Sequence, residues 1–488
     1  MGVVIYAVAG CIFVVVATAN AAGYRYGVSD QAFYIPAFVR ALTPAAFPRD
    51  AALIDSQARL MVLDELVGLI ARATGASLPV ISAVGYLASL LLIYAALLRI
   101  ARSLYITSWG TVALAAAFTL RHQITRTSVN SFEPYFHPRM LAFGFGALAV
   151  AEVLRRRSWP AIALVGCAGV VHVTTAIWFA VLIGVALFAS DRRLRPLVAL
   201  GGGLAAATAL WAVTAGPLAG SLVMIDPEWR RLLETKDTLF ANEWPVAAWA
   251  ANLGTAAVWA WAYWTRRVRG AATPADGGLV AGGALLVAAF LVTLPFVAAG
   301  VWLFVELQIS RVFWLVDVFG AAYAISAVEL RWPARRAIAP LAALLVVLSI
   351  SRGLYILTIE HAERSLFALT LPPSPWNDAM QWLSRTPLDT HVLADPGHAY
   401  RFGTSVRVAA RRDVFLEEVK DVAIGIYSRD VAMRVIERTR ALGDFNQLTP
   451  SRVRALAAQY DLDYLVTANP IDLPVVYRNE QLTIYALR

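Results

Sequence analysis

Two carboxylates and a scatter of arginines and histidines hold the chemical possibilities of this chain. Asp30 lies in Gly27-Val-Ser-Asp30-Gln-Ala-Phe-Tyr-Ile-Pro-Ala-Phe-Val-Arg40, just past the first apolar run. A carboxylate there can take the proton of an attacking hydroxyl as a general base, or it can cap a helix, since Ser29 and Asp30 are favoured capping types. Glu133 lies in a denser stretch, Arg121-His-Gln-Ile-Thr-Arg126-Thr-Ser-Val-Asn130-Ser-Phe-Glu133-Pro-Tyr-Phe-His137-Pro-Arg139. Three arginines, two histidines and one acid between apolar helices are costly unless they face a cavity or a ligand. The bland alternative is a polar loop with interfacial aromatics and snorkelling arginines. The site is the better reading, because His137 and Arg139 abut the next apolar run.

Further polar residues interrupt apolar sequence. His172 sits in Val171-His-Val-Thr-Thr; it either hydrogen-bonds a neighbouring helix or joins a site with Thr174 and Thr175. Gln308, Ser310, Arg311 and Asp317 form another set, in which Arg311 and Asp317 lie on different helix faces. Arg352 is a further possible anion contact. Asp50, Asp55, Asp64 and Glu65 are acids of the kind common in exposed loops. No phosphate-binding glycine loop, dinucleotide fingerprint or zincin motif is present, which argues against soluble nucleotide-dependent chemistry.

The elements that must position these groups are membrane helices. The hydrophobic fraction is 59% and the charged fraction only 15%, far from a soluble chain of this length. About eleven apolar runs approach the roughly 20 residues needed to cross a bilayer: 3–22, 79–100, 108–120, 140–154, 159–171, 175–189, 197–213, 246–264, 279–305, 312–327 and 338–357. Ala19-Asn20-Ala21 has the small residues of a cleavage site, but no positive charge precedes the first run, so it is expected to be a retained helix. Five arginine clusters close successive runs: Arg99/Arg102, Arg155/Arg156/Arg157, Arg192/Arg193/Arg195, Arg266/Arg267/Arg269 and Arg331/Arg335/Arg336. Cytoplasmic loops are rich in Lys and Arg, so the clusters place the N-terminus in the cytoplasm. Residues 23–77, 121–139, 216–245 and the tail 361–488 then fall outside. The clusters account for the net charge of +9, and no nucleic-acid partner is implied. Lysine occurs only at Lys236 and Lys420, a scarcity that reads as codon bias. Cys11 and Cys167 lie in apolar runs and imply neither a disulfide framework nor a metal site.

The division is therefore a membrane part, 1–360, and a tail, 361–488, that reads as an α/β domain. Short β-rich runs stand at 391–394, 406–409, 463–467, 475–478 and 482–486. Helical stretches stand at 375–385, 430–442 and 451–460, and a hairpin is expected to turn at Asn479-Glu480.

This layout resembles the C-type glycosyltransferase (GT-C) superfamily of polytopic α-helical membrane proteins. The residues that carry the resemblance are Ser29-Asp30-Gln31-Ala32-Phe33-Tyr34 and His137-Pro138-Arg139, with Arg126 to Glu133 similar to the second-loop acidic motif of oligosaccharyltransferases. Some bacterial members have a comparable first-loop stretch. The chain departs from oligosaccharyltransferases in having Asp30-Gln31 in place of adjacent acids, no Trp-Trp-Asp motif in the tail, and no clear fifth-loop Glu motif. The resemblance implies about 11 transmembrane helices and an extracytoplasmic C-terminal α/β domain in a bacterial inner membrane.

It also implies transfer of a sugar from a polyprenyl-phosphate donor to an extracytoplasmic acceptor, with inversion. Asp30 takes the place of the catalytic acid and Glu133 that of the second-loop acid. Arg126, His137, Arg139, His172, Arg311 and Arg352 are candidates for holding the donor phosphate. A divalent metal, Mg or Mn, is a possible cofactor; Asp30 and Glu133 are the two good oxygen ligands. Two other functions fit the same architecture: a transporter or flippase of lipid-linked glycans, and a non-catalytic scaffold of an envelope polysaccharide system.

Overall fold

Ten of the eleven apolar runs lie in single helices apart from frayed ends, and the run 279–305 breaks at residues 299–301 between Pro274–Ala298 and Trp302–Glu306. The structure, a computed structural model, describes residues 2–58, 61–332 and 334–488; the side chains of residues 2, 3 and 334–336 are outside that description, among them Arg335 and Arg336 of the fifth cluster. Among the described residues six helices are long and apolar enough to cross a membrane: Leu78–Leu104, Val173–Ser190, Arg192–Thr214, Pro274–Ala298, Trp302–Arg331 and Ala337–Glu360. Val4–Asn20, Ser108–Thr119 and Ser158–Val171 are apolar but shorter. At 1.5 Å per residue, helices of this length fall short of a hydrocarbon core of about 30 Å. Pro138–Leu154 has 17 residues, and Val246–Val268 is long enough but ends in Arg266 and Arg267.

The chain divides into two compact units. The first comprises Met1–Tyr24, Gly85–Ile225 and Asp237–Phe367; the second comprises Arg25–Val84, Asp226–Lys236 and Ala368–Arg488. The first unit is the helical one. Its closest helix contact is made by Gly278 and Gly282, four apart on Pro274–Ala298, a spacing that lets membrane helices approach. An added Cβ at Gly278 would lie 2.6 Å from the backbone of Ala186, and one at Gly282 2.9 Å from that of Leu182.

Arginine clusters one and two meet at a buried acid. Arg99 and Arg155 stand 3.4 and 3.2 Å from Glu152, and Arg157 stands 3.8 Å away. Arg266 of the fourth cluster donates to Leu104 O at 2.9 Å and Ser326 Oγ at 2.5 Å, with Asp276 at 3.5 Å. Glu329 accepts from the backbone N–H groups of Ile106 and Thr107, each at 2.8 Å. The clusters therefore have specific partners at the helix ends, besides favourable placement near helix C-termini.

The second unit is built on a five-stranded sheet. Its strands are β1 (His391–Ala394), β2 (Asp413–Val414), β3 (Tyr464–Thr467), β4 (Val475–Arg478) and β5 (Thr483–Ala486). They lie in the order β2-β1-β3-β5-β4. β1 runs parallel to β2 and β3, whereas β5 is antiparallel to β3 and β4. Side chains alternate across the pleat. Val392, Val466 and Ile484 pack with Trp376 and Met380 of the helix Pro375–Leu383. Leu393, Leu465 and Tyr485 pack with Val435, Val453 and Leu456 of Arg429–Leu442 and Pro450–Tyr460. The hairpin turns where expected, with Asn479 N donating to Leu482 O at 3.0 Å.

One expected strand is wrong. Residues 406–409 form a short helix, Val406–Ala409, because Ser405 Oγ caps it through Arg407 N at 3.0 Å. Arg407 is then fixed in a buried ion network. It donates to Asp50 Oδ2 at 2.8 Å and to Asp421 at 2.5 and 3.1 Å, and stands 3.5 Å from Glu417. Burial alone would raise the Asp50 carboxyl, but Arg407 and Arg434 outweigh it and hold it below the usual carboxylate range. Asp50 also accepts from Val414 N at 3.1 Å, which ties the segment before Ala51–Ala58 to β2. The helix Gln31–Leu42 packs on Leu63–Thr74 and on Val406–Ala409. Pro36, Ala37 and Phe38 of this helix are buried.

The network has a pH signature. Burial pushes the Glu417 carboxyl up to about 7, so the fold holds a proton that the unfolded chain loses near the ordinary glutamate value. Stability falls as pH rises through that window, by an amount on the order of 3 kcal/mol. His398 and His391, pushed down by burial to about 4 and about 3, act oppositely: their contribution is lost as pH falls below the unfolded histidine value. The Glu417→Gln variant isolates the first effect. Thermal unfolding of the full chain in detergent between pH 5 and 8 should show the wild type losing stability relative to the variant as pH rises. Parallel pH profiles would contradict the assignment.

Candidate functional site

The stretch 121–139 folds around Glu133. A two-stranded ladder pairs Gln123 with Asn130 and Ile124 with Val129, and Ser131 N donates to His122 O at 2.8 Å. The loop thus returns on itself and delivers Asn130 and Glu133 to Arg121. Glu133 is buried and accepts from Arg139 Nη2 at 2.7 Å, from Arg121 Nη2 at 3.3 Å, and from Asn130 Nδ2 at 3.1 Å on each oxygen. Arg121 Nε also donates to Phe132 O at 2.9 Å.

His137 is the N-cap of Pro138–Leu154, its Nδ1 accepting from Arg139 N at 3.2 Å. The ring proton of the neutral form then sits on Nε2. His172 does the same for Val173–Ser190, accepting from Thr175 N at 3.2 Å. His137, from the dense polar stretch, and His172, which interrupts apolar sequence, are therefore both helix starts. They also share a neighbourhood: His137, Arg139 and Arg311 stand close enough to His172 for their charges to act on its imidazole. Arg311 ends a one-turn 3-10 helix, Ile309–Arg311, after Gln308 in the left-handed region. Glu133, His137, Arg139, His172 and Arg311 thus form one cluster, continued by Arg121.

The other donor candidates have separate engagements. Arg352 Nη1 donates to Asn20 O and Oδ1 at 3.2 and 2.9 Å while still feeling the charge of Arg121. Arg126 pairs with Asp237 and is partly exposed. His122, not among the residues singled out from the sequence, is bonded to Asp317 at 2.9 Å, and that hydrogen bond raises its imidazole.

Asp30 belongs to the other unit. It occupies the N-cap position of Gln31–Leu42, yet its side chain makes no capping bond. Ser29 has a φ of 52°, and Gln31 Oε1 takes the N–H of Gly27 at 2.6 Å. Asp30 Oδ1 accepts from Lys420 Nζ at 3.1 Å, and that ammonium lies 4.9 Å from the centre of the Phe33 ring. Lys236 is close enough for Asp30 and Lys420 to act on it. Nothing local in the sequence marks either lysine for this position; their rarity is the one signal. Among the described residues no group of three or more His, Cys, Asp and Glu could hold a metal ion, so the residues at hand do not fit the divalent cofactor that the resemblance allowed.

The fold has solved relatives. The chain is similar to the apo crystal structure of the oligosaccharyltransferase from Archaeoglobus fulgidus, with a TM-score of 0.51 at 12% identity, over 95% of this chain and 69% of that one. Two further structures are more distant in TM-score. One is the same organism's enzyme with zinc and sulfate, at 0.43 and 12% identity over 94% and 67% of the two chains. The other is oligosaccharyltransferase AglB from that archaeon with an inhibitory peptide and a dolichol-phosphate, at 0.44 and 11% identity over 94% and 69%. No protein-family model and no curated protein matches the chain. The first likeness shows that the overall fold is shared with that structure.

Glu133 and Arg139 should behave as one buried unit. Removing either partner strands the other charge, at about 3–5 kcal/mol. In the full chain, Glu133→Ala and Arg139→Ala should each lower unfolding stability by such an amount, and the double variant should lose clearly less than their sum. Simple additivity would mean that the pair is not coupled.

Proposed function

We propose that this chain is a membrane glycosyltransferase that takes a sugar from a polyprenyl-phosphate donor and places it on an extracytoplasmic acceptor. The observation that carries the reading is the cluster around Glu133. Arg121 and Arg139 share the buried carboxylate of Glu133, and Arg311 stands in the same cluster beside two helix-capping histidines, so three guanidinium groups gather in one place. A phosphate is the ligand such a group suits, since guanidinium groups match its oxygens in geometry and charge. The oligosaccharyltransferase with the similar fold supports the reaction class.

In this reading all eleven apolar helices reach across the membrane or into it. The N-terminus is cytoplasmic, the C-terminal segment is outside, and the membrane is a bacterial inner membrane. The acceptor hydroxyl attacks the anomeric carbon of the donor sugar while the bond from that carbon to the phosphate oxygen breaks. The electron pair leaves with the lipid phosphate, and the configuration inverts. Asp30 receives the hydroxyl proton. Arg139 and Arg311 stabilise the charge that develops on the departing phosphate, where fixed cations are worth more than in water. Glu133 holds Arg139 and Arg121 in place. His137 and His172 fix the helix starts beside them, and Arg126 and Arg352 are assigned outer contacts to the donor. Helix Leu78–Leu104 and its neighbours supply the lipid-facing surface for the polyprenyl tail.

Transfer of labelled sugar from a polyprenyl-phosphate donor, measured in vesicles with envelope extract as acceptor, tests this. Asp30→Asn should lower the rate by about 100-fold or more, and Arg311→Gln by about 100-fold. Full activity in Asp30→Asn would remove Asp30 as the base. No turnover of any lipid-phosphate sugar by the wild type would remove the reading itself.

A further inference from the structure

Of the 42 basic residues in the chain, all but Lys236 and Lys420 are arginine. These two lysines, far apart in sequence, converge on one carboxylate. Lys420 Nζ is 3.1 Å from Asp30 Oδ1, in a partly buried ion pair. Lys236 Nζ donates to Val419 O at 3.0 Å, next to Lys420 in the chain. Burial first, and then the charge of Lys420, lower the Lys236 ammonium from its usual value, while Asp30 and Glu418 oppose the shift.

The placement of Lys420 is built, not incidental. Its helix, Glu418–Ile424, is pinned by the buried network: Asp421 holds Arg407, and Asp421 Oδ2 accepts from Glu417 N at 3.1 Å. The Phe33 ring, from the helix that Asp30 begins, lies beside the ammonium at 4.9 Å. A compact ammonium is a point charge with three rotatable donors, whereas a guanidinium is a planar fork. Lysine is thus the side chain nearest in form to a bound cation, and it stands where a cation would bind Asp30.

A divalent ion on Asp30 would sit roughly 2.0–2.6 Å from a carboxylate oxygen. It would meet the ammonium already on that carboxylate and a second ammonium nearby. Like charges at such separations repel, more strongly where burial lowers the effective dielectric, and a divalent ion doubles the repulsion. The donor set therefore disfavours the metal on its own chemistry.

We propose that Lys420 is the resident cation of Asp30, with Lys236 as a second positive charge beside it, so that this carboxylate works on an ammonium instead of a divalent metal. Lys420 is a positioning residue: it acts through Asp30. Its part in transfer rests on the glycosyltransferase reading above; the exclusion of metal does not.

The test uses the full chain in lipid nanodiscs and two readouts. Titration with Mn²⁺ followed by electron paramagnetic resonance should show no ion whose binding depends on Asp30: wild type and Asp30→Asn should bind alike, whether at no site or at an unrelated one. A wild-type site lost in Asp30→Asn would overturn the proposal, with or without any enzymatic turnover. In the transfer assay, chelator should leave the wild-type rate unchanged. Lys420→Ala should lower the rate by about tenfold or more, and Lys420→Arg should restore part of it. Undiminished transfer by Lys420→Ala in chelator would remove the positioning role. A rate drop in wild type on chelation, restored by Mn²⁺, would also overturn it. Should Lys420→Ala fail to fold, the comparison of wild type with Asp30→Asn and the chelator arm decide. Absence of transfer in the wild type would remove the functional reading and leave the metal-binding result standing.

Discussion

A charge surrounded by apolar groups must find an opposite charge, and both units of this chain are organised by that requirement. Taking an ion out of water carries an effective penalty of several kcal/mol. Glu133 meets it with Arg139 at 2.7 Å and Arg121 at 3.3 Å. To bring those groups together the loop must double back through its small ladder, and Pro138–Leu154 must start at His137. The second unit repeats the device with the sign reversed. Arg407, nearly inaccessible, is surrounded by Asp50, Asp421 and Glu417. Those contacts set the pose of Val406–Ala409, of Glu418–Ile424, and so of Lys420 on Asp30. In each unit one buried ion fixes the elements from which the candidate chemistry projects.

The two clusters differ in what they leave over. Around Arg407 the acids match or exceed the guanidinium, and the group reads as a structural fastener. Around Glu133 guanidinium groups gather, two on the carboxylate itself and Arg311 beside His172, and a phosphate suits such a gathering. Fold likeness at 12% identity speaks to architecture alone. The functional reading depends on that concentration of arginines and on the histidine-capped helix starts that hold it in place.

Much of the architecture was legible in the sequence. Apolar runs announce helices because burial in lipid or protein demands continuous apolar surface, and every run forms helix, with one break at residues 299–301. The strands near 391, 464, 475 and 483 were legible from β-rich composition bounded by turn residues. The failures share a cause. Residues 406–409 are β-rich, but Ser405 and the distant Asp50 and Asp421 hold them as a helical turn. Asp50 read as an ordinary loop acid, although its partners Arg407 and Arg434 lie hundreds of residues away. Lysine scarcity was taken as a compositional habit; what gives it meaning is the convergence of Lys236 and Lys420 on Asp30, a long-range fact. At the site, residue types were legible from the density of 121–139, whereas the capping roles of His137 and His172 required backbone geometry.

The central claim is that the arginines around Glu133 receive a lipid-borne phosphate. An experimental map of the full chain in nanodiscs containing a polyprenyl phosphate tests it most directly. The account requires the phosphate within hydrogen-bond reach of Arg139 or Arg311, with Glu133 still paired. A well-defined lipid phosphate held elsewhere, with both arginines engaged only by protein groups, would contradict it.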